Sequence, residues 1–285
     1  LYDSSTTGVF CGRFRRQPAV IKTIRAGRGA AAAAGAGPAK GGGEHEVLFG
    51  LSHPNVVRLL GVEDEALTRY IALEPCVDAD MESADAAAGR VLPRARTLEL
   101  VVEGEGLRDV GRLRAIMKQT AEGLAYLHGH RELADCGLTH RDLKPQNVLV
   151  KRLVRRGGKR GRSSSAGGIG EGGVGVAGGA GGAGVDQVKL ADFGSAKVHD
   201  RTMATTRGVG TDGWQSPEAI RGEETGPAAD VFSLGLLFFY CLTGGRHVFG
   251  EDAMKRKRTM MKFAMADDPD EEDEEERAEA VRAAD

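Results

Sequence analysis

Residues 140–147 (HRDLKPQN) bring three polar side chains of different chemical type into one short stretch, directly before the apolar residues 148–150. Asp142 could accept the proton of an attacking hydroxyl, and Lys144 could neutralise charge on a phosphoryl group during its transfer. Asn147 offers an amide oxygen, a ligand type that suits Mg²⁺. These residue types at this spacing therefore indicate a phosphoryl-transfer site in a loop that leads into a short strand.

Two further motifs follow this loop along the chain. Residues 192–194 read DFG after the strand-like run 188–190, and residues 216–218 read SPE. The three motifs in this order resemble the catalytic loop, the magnesium-binding motif and the end of the activation segment of eukaryotic protein kinases. Lys144, two residues after Asp142, resembles the serine/threonine class of that family.

The kinase resemblance assigns roles to individual residues. It implies catalytic roles for Asp142, Lys144 and Lys22 and magnesium binding by Asn147 and Asp192, with ATP and Mg²⁺ as cofactors. It also implies nucleotide contacts from Lys22, Glu44, Val9, Val20, Leu149 and the backbone of Glu74 and Cys76. Leu73 would be the gatekeeper before this hinge, and Asp230 would accept hydrogen bonds from the catalytic-loop backbone.

The amino-terminal part of the chain predicts strands and a helix around the nucleotide. Residues 9–12 and 19–22 read as two strands joined by a turn at 15–18, and residues 56–60 and 70–73 supply further strand signals. Glu44 lies on a predicted helix with Leu48 and is assigned as the partner of Lys22, with Glu46 as the alternative.

The loop that should cover the phosphates departs from the family pattern. The family has three glycines before the first strand, whereas residues 2–8 contain one, Gly8. Glycines let backbone N–H groups approach a phosphate closely, so the side chains here predict weaker nucleotide binding or a loop that is truncated at its front.

Three further runs resemble one kinase family in particular. Residues 53–55 (HPN), 70–76 (YIALEPC) and 210–214 (GTDGW) are similar to the inositol-requiring endoplasmic-reticulum stress sensors, which combine a kinase with an endoribonuclease. That resemblance implies autophosphorylation, with Thr205 and Thr206 as candidate sites, and a role in the unfolded protein response. It also implies a homodimer on the cytosolic side of the endoplasmic-reticulum membrane, held there by the parent protein, and RNA contacts only through a nuclease domain absent from this chain.

Composition sets broad limits on the class of protein. The chain has 285 residues, 41% of them hydrophobic, and a net charge of −2, so no global field favours nucleic acid or membrane. Its four cysteines lack paired spacing, which predicts free thiols in a reducing compartment. The longest apolar run, 231–242, is too short for a membrane span and predicts a buried helix.

The predicted fold class is α+β, a bilobal kinase-like fold with a small antiparallel β lobe and a mainly helical lobe. Residues 1–76 form the first lobe, with a low-complexity insert at 26–43, and residues 77–250 form the second, with a glycine-rich and basic insert at 151–186. Residues 251–285 are predicted to be a charged, disordered tail.

The second lobe is expected to be incomplete. The family pairs the glutamate of its third motif, here Glu218, with an arginine from a later helix, and this sequence has no convincing counterpart. A buried carboxylate without its cation would cost about 3–5 kcal/mol.

Two alternatives to an active kinase stay open from the sequence. The poor phosphate loop, and Val20 where the family usually has alanine, would suit a pseudokinase that controls an attached endoribonuclease. A basic cluster at 151–162 could bind RNA, although no aromatic residue interleaves with it for base stacking.

Overall fold

The computed structural model describes residues 7–25, 47–65, 68–77, 96–130, 138–153, 185–198 and 209–265. Four residues singled out in the sequence lie outside these ranges: Glu44, Glu46, Thr205 and Thr206. The insert 26–43 and most of the insert 151–186 also lie outside them. The strands, helices and contacts given below all lie within these ranges.

A four-stranded antiparallel sheet forms the amino-terminal part. Its strands are β1 (Thr7–Phe14), β2 (Gln17–Arg25), β3 (Leu59–Glu65) and β4 (Thr68–Leu73), in the spatial order β1-β2-β4-β3. Side chains alternate between the two faces of a strand, so Val20 and Lys22 share one face while Ala19 and Ile21 share the other. The first of these faces packs on the main core through Val20, and the second has a small cluster of its own.

The turn between β1 and β2 is shorter than predicted. Only Arg15 and Arg16 form it, and both have positive φ angles, 46° and 70°. This is the backbone of the two-residue hairpin turn whose twist matches the strands, a position that asparagine and glycine usually occupy. Arg13 stabilises the turn because its guanidinium donates a hydrogen bond to the Arg16 carbonyl at 2.8 Å.

The strand predicted at 56–60 is wrong in its position. Strand β3 begins at Leu59, whereas Val56 and Val57 are buried against the second part of the molecule. The Val57 N–H donates to the Leu190 carbonyl at 2.9 Å, and the Leu190 N–H donates to the Asn55 carbonyl at 2.9 Å. The apolar side chains of Val56 and Val57 therefore join the core beside strand residues 185–190, and they do not join the sheet.

A mainly helical part follows the sheet. Its helices are α1 (Val110–Gly129), α2 (Pro217–Arg221), α3 (Pro227–Leu242) and α4 (Ala253–Met265), preceded by a π-helical turn at Leu100–Gly104. Asp109 is the N-cap residue of α1, and its side chain accepts a hydrogen bond from the Arg112 N–H at 3.0 Å. The apolar residues of α1 recur at helical spacing, and Leu113, Ile116, Leu124 and Leu127 of this stripe are buried.

Two short antiparallel pairs carry the loops of the helical part. Strand β5 (Leu138–Thr139) pairs with β8 (Lys197–Val198), and β6 (Val148–Leu153) pairs with β7 (Val185–Leu190). The insert between β6 and β7 is therefore narrower than the predicted range 151–186, because both ends of that range belong to the hairpin.

The predicted disorder of 251–285 is wrong for residues 253–265, which form α4. Asp252 begins the helix by accepting from the Lys255 N–H at 2.8 Å. Met260 and Ala264, four residues apart on one face, are 2% and 1% exposed. The Arg221 guanidinium donates to the Ala264 carbonyl at 2.6 Å. Burial of this face against α2 stabilises a helix that the charge pattern alone did not predict.

Helix α3 is less deeply buried than its apolar sequence predicted. Leu236, Leu237 and Tyr240 are buried, but Val231 and Leu242 on the opposite face are 56% and 64% exposed. Within the described ranges, no helix combines the length and hydropathy that crossing a membrane requires.

The cysteine and Glu218 predictions had different outcomes. Among the described residues no disulfide joins Cys11, Cys76 and Cys241, and burial raises the pKa of Cys241 to about 12. Cys136 lies outside the described residues. Glu218 is only partly buried, so the carboxylate does not bear the full desolvation cost that the sequence argument assumed.

Candidate active site

The β6–β7 hairpin brings the two predicted metal-binding residues to the same end of one ladder. Val148 pairs with Leu190, so Asn147 lies just before β6 and Asp192 lies just after β7. The Ala191 N–H donates to the Asn147 carbonyl at 2.9 Å, which extends the ladder by one bond. Residues 45 positions apart in sequence are thus held near each other by strand register.

The Asp142 carboxylate is the centre of a compact polar cluster. It accepts hydrogen bonds from Lys144 Nζ at 2.8 Å, from Asn147 Nδ2 at 3.0 Å and from the Thr211 hydroxyl at 2.7 Å. Lys144 Nζ also donates to the Thr211 hydroxyl oxygen at 2.5 Å. Because Asp142 is only 9% exposed, these bonds fix the direction of its carboxylate.

A buried carboxylate fixes the backbone of this loop, as predicted for Asp230. Asp230, in the first turn of α3, is 1% exposed and accepts from the N–H groups of His140 and Arg141, both at 2.8 Å. Nε2 of His128 lies 2.8 Å from the same carboxylate. The predicted contact between Asp230 and the catalytic-loop backbone is therefore confirmed.

Lys22 of β2 reaches the start of the DFG motif. Its Nζ lies 2.8 Å from Asp192 Oδ1, joining the sheet to the helical part at this point. Partial desolvation alone would raise the pKa of Asp192, but the Lys22 ammonium outweighs it, so the pKa of Asp192 lies below its ordinary value. Asp192 therefore remains an anion over a wide pH range.

The donor atoms at this end of the hairpin suit a hard cation. Asn147 uses its amide nitrogen to bond both the backbone carbonyl and the carboxylate of Asp142, at 2.8 and 3.0 Å, so its amide oxygen is the atom that it could offer to a metal. Asp192 adds a carboxylate that stays ionised. Oxygen donors of this kind match Mg²⁺ chemistry.

The residues predicted to contact adenine come from three strands, β1, β2 and β6, and from the chain that follows β4. Val9 pairs with Lys22 across β1 and β2 and is 41% exposed. Val20 and Leu149 are partly buried and pack against the same core, although they come from β2 and β6. Leu73, the predicted gatekeeper, is 8% exposed at the end of β4.

The predicted hinge residues follow β4 directly. The Glu74 N–H donates to the Arg58 carbonyl at 3.0 Å, so the Glu74 carbonyl is the backbone group that it could offer to adenine. Cys76 is 2% exposed. The Glu74 carboxylate accepts from the Arg58 N–H at 2.9 Å and lies 2.6 Å from Lys189 Nζ.

Sequence reasoning missed three contacts that shape this site. Thr211 was noted only as part of a motif, yet its hydroxyl bonds Asp142. Lys189 was noted only within a strand-like run, and His128 was not singled out. A hydroxyl beside a glycine in the activation segment was the only available signal, because the other two contacts depend on how distant elements pack.

Comparisons with known proteins agree with this geometry. A sequence model of the family described as "Protein kinase domain" matches residues 11–283. The chain is similar to "Serine/threonine-protein kinase/endoribonuclease ire-1" of Caenorhabditis elegans, at 31% identity over 230 residues, or 76% of this chain and 19% of that protein. It is similar to "Serine/threonine-protein kinase/endoribonuclease IRE1" of Oryza sativa subsp. japonica, at 32% identity over 204 residues, or 70% and 19%.

A more distant relative carries the same kind of name. "Serine/threonine-protein kinase ULK1" of Homo sapiens is 29% identical over 203 residues, or 71% of this chain and 15% of that protein. The chain therefore spans about a fifth or less of the length of these relatives. Their names give no support to the pseudokinase alternative. The family match, the bilobal α+β fold and the order of the motifs agree, and the chain belongs to the protein kinase domain family.

Proposed function

We propose that this chain transfers the γ-phosphoryl group of Mg-ATP to serine or threonine hydroxyls of protein substrates. One observation carries the proposal. Asp142, Lys144 and Asn147 form a single hydrogen-bonded cluster, and the β6–β7 hairpin connects it to the ion pair of Asp192 with Lys22. That arrangement combines a base, fixed cations and oxygen donors for a metal in one cleft.

Each of these residues has a distinct role in the proposed reaction. Asp142 orients the attacking hydroxyl and accepts its proton, and Lys144 balances charge on the group in transfer. Lys22 would hold the α and β phosphates, with Glu44 as its expected partner. When bound through Asn147 and Asp192, Mg²⁺ would neutralise charge on the phosphates.

The nucleotide would lie between the two parts of the molecule. We infer that residues 1–76 and 77–250 act as the two lobes. Val9, Val20 and Leu149 would line the adenine site, and the backbone of Glu74 and Cys76 would hydrogen-bond its edge. The apolar surfaces supply contact area, and the backbone groups supply orientation.

Substitution of Asp142 by asparagine tests the reaction. Asp142→Asn should lower the rate of phosphoryl transfer by about 10²–10⁴-fold because the amide cannot accept the proton, while Mg-dependent ATP binding persists. Asp64→Asn, the same chemical change at an exposed site on β3, is the control and should keep the wild-type rate. Transfer of radiolabelled phosphate and ATP binding by calorimetry measure the two quantities. ATP binding by the wild type without any transfer would contradict the proposal.

The similarity to the stress-sensor relatives suggests a setting for this activity. We propose that the parent protein is associated with the endoplasmic reticulum, acts in the unfolded protein response and phosphorylates itself within a homodimer. Thr205 and Thr206 are the candidate sites, and Arg141 could pair with the added phosphate. Mass spectrometry after incubation with Mg-ATP should find phosphate on one of these threonines in the wild type and none in Asp142→Asn.

A further inference from the structure

His247 is a buried histidine in the loop between α3 and α4, outside the catalytic cluster. It is 6% exposed, and Nε2 lies 2.7 Å from the Gly213 carbonyl oxygen. On the other side of the ring, Nδ1 accepts from the Phe249 N–H at 3.2 Å. One neutral tautomer satisfies both contacts, since Nδ1 accepts and Nε2–H donates to the carbonyl.

The carbonyl that His247 bonds belongs to a short rigid turn, residues 211–214. Gly213 has φ +95°, a conformation that other residues rarely adopt, and the Trp214 N–H donates to the Thr211 carbonyl at 3.0 Å. The Trp214 ring packs edge to face on His247, with ring centroids 5.1 Å apart. The first residue of the same turn, Thr211, donates its hydroxyl to Asp142 at 2.7 Å.

These contacts form a continuous chain from the α3–α4 loop to the catalytic carboxylate. We propose that His247 is a positioning residue, which holds the 211–214 turn so that the Thr211 hydroxyl stays on Asp142. The inference rests on the proposed kinase function, and it deepens that function by adding His247, a residue far along the sequence from the 140–147 loop. His247 does not touch the reacting groups and acts only through Thr211.

The surroundings of His247 favour its neutral form, which is the form that makes both hydrogen bonds. Burial lowers the pKa of His247, and Arg256 from α4 lowers it further, although the Gly213 carbonyl and Glu251 act in the opposite direction. Protonation would place a second N–H against the Phe249 N–H. The unfolded chain takes up this proton more readily than the folded protein does. The contribution of neutral His247 to the stability of the fold is therefore complete above the ordinary histidine pKa of about 6.5, and it is lost as the pH falls below that value.

Steady-state kinetics with two substitutions test the coupling. His247→Phe keeps the ring volume but removes both hydrogen bonds, and it should lower kcat by about 10- to 100-fold with the KM for ATP unchanged. His247→Gln keeps a donor near the Nε2 position and should retain kcat within about 3-fold of wild type. Lys257→Ala removes a surface ion pair of the same turn, to Asp212, and is the control with wild-type kcat.

A double substitution distinguishes positioning from a general loss of structure. Thr211→Val should lower kcat by itself, and adding His247→Phe should lower it by less than about 2-fold more, because both changes interrupt one chain of contacts. Effects that multiply, a wild-type kcat in either single variant, or a raised KM for ATP in His247→Phe would each overturn the proposal.

The contact between His247 and the 211–214 turn can also be tested by measurements that do not depend on kinase activity. Trp214 is the only tryptophan of the chain, so its fluorescence reports on this turn. Wild type should show a fluorescence transition below about pH 6.5 as His247 takes up a proton, and His247→Gln should lack it. Hydrogen exchange of the 211–214 amides should quicken in His247→Phe and stay near wild type in His247→Gln. Failure of these two results would refute the positioning role independently of the proposed function.

Discussion

Two residues at the candidate active site have a left-handed backbone conformation that residues other than glycine rarely adopt. Arg141 has φ 65° and Asp192 has φ 64°. Hydrogen bonds hold Arg141, whose N–H donates to Asp230 at 2.8 Å and whose Nε donates to the Ser195 carbonyl at 2.6 Å. Asp192 is held by its ion pair with Lys22. Conformations of this kind persist only where the surroundings fix them, which is typical of functional sites.

Removing Lys22 should change how stability depends on acid pH. In the wild type the pKa of Asp192 is lowered, so its stabilising contribution is present above the ordinary value of 3.8 and is lost as the pH falls below it. Lys22→Met removes the main cause that lowers this pKa and leaves the desolvation opposed by the His140 charge and the Gly194 N–H, so this part of the acid dependence should become smaller. Urea unfolding between about pH 2 and 6 measures it.

A surface lysine provides the matched control for that measurement. Lys118→Met interrupts an exposed pair with Glu122 at 3.6 Å and should keep the wild-type acid profile. An unchanged profile in Lys22→Met would mean that the Lys22–Asp192 pair contributes nothing to stability in solution.

At the scale of elements, helix α1 approaches Asn55 and strand β7 closely at a glycine, Gly123. A methyl group built on Gly123 would lie 2.7 Å from the Asn55 carbonyl oxygen and 3.2 Å from Leu190 Cδ1. This close approach lets α1 pack against β7, which leads into Asp192. The Asn55 side chain bonds the same region, since Nδ2 donates to the Val188 carbonyl at 2.8 Å.

Alanine should therefore destabilise α1 despite its better helix propensity. Gly123→Ala would gain about 1 kcal/mol from propensity but lose about 1–3 kcal/mol to overpacking against a backbone that cannot move freely. Gly235→Ala in α3 is the matched control, because a methyl group there meets nothing within 4 Å and should stabilise by about 0.5–1 kcal/mol. Urea midpoints compare the two variants, and a stabilised Gly123→Ala would show that this contact is not close in solution.

At the scale of the whole molecule, one partly buried ion pair connects the hinge to the strand that precedes the DFG motif. Lys189 Nζ lies 2.6 Å from Glu74, with side-chain exposures of 9% and 19%. Lys189 also donates to the Val56 carbonyl at 3.4 Å. A single hydrophobic core continues from Leu73 of the sheet to Leu237 of α3. The pair therefore adds a fixed polar contact to an interface that apolar packing already holds together.

Breaking this pair from one side should be costly. Lys189→Met leaves the Glu74 carboxylate with little solvent and, among the described residues, with the Arg58 N–H as its donor, so we expect a loss of about 3 kcal/mol in the free energy of unfolding. Lys189→Met combined with Glu74→Gln removes both charges and should recover about 1–2 kcal/mol of that loss. Equilibrium unfolding of the single and double variants measures this coupling, and additive effects would exclude an interaction between the two side chains.

Much of the local architecture could be predicted from residue patterns. The helical period of the apolar residues in α1 indicates a helix with one buried face, and the β1–β2 hairpin was predicted because two apolar runs flank a polar turn. Predictions failed where packing decided the outcome. Val56 and Val57 resemble a strand, but they pack beside β7, and part of the charged tail predicted to be disordered forms α4, in which Met260 and Ala264 are buried.

The sequence by itself indicated the kinase family and the proposed chemistry, because a candidate base, cations and oxygen donors are properties of residue type and three ordered motifs carry them. Only the tertiary structure decided which side chains meet. The register of β6 with β7 places Asn147 beside the DFG motif, and the folded turn at Gly213 brings Thr211 onto Asp142. These contacts join residues far apart along the chain, and their geometry depends on packing and strand pairing, which no local pattern encodes.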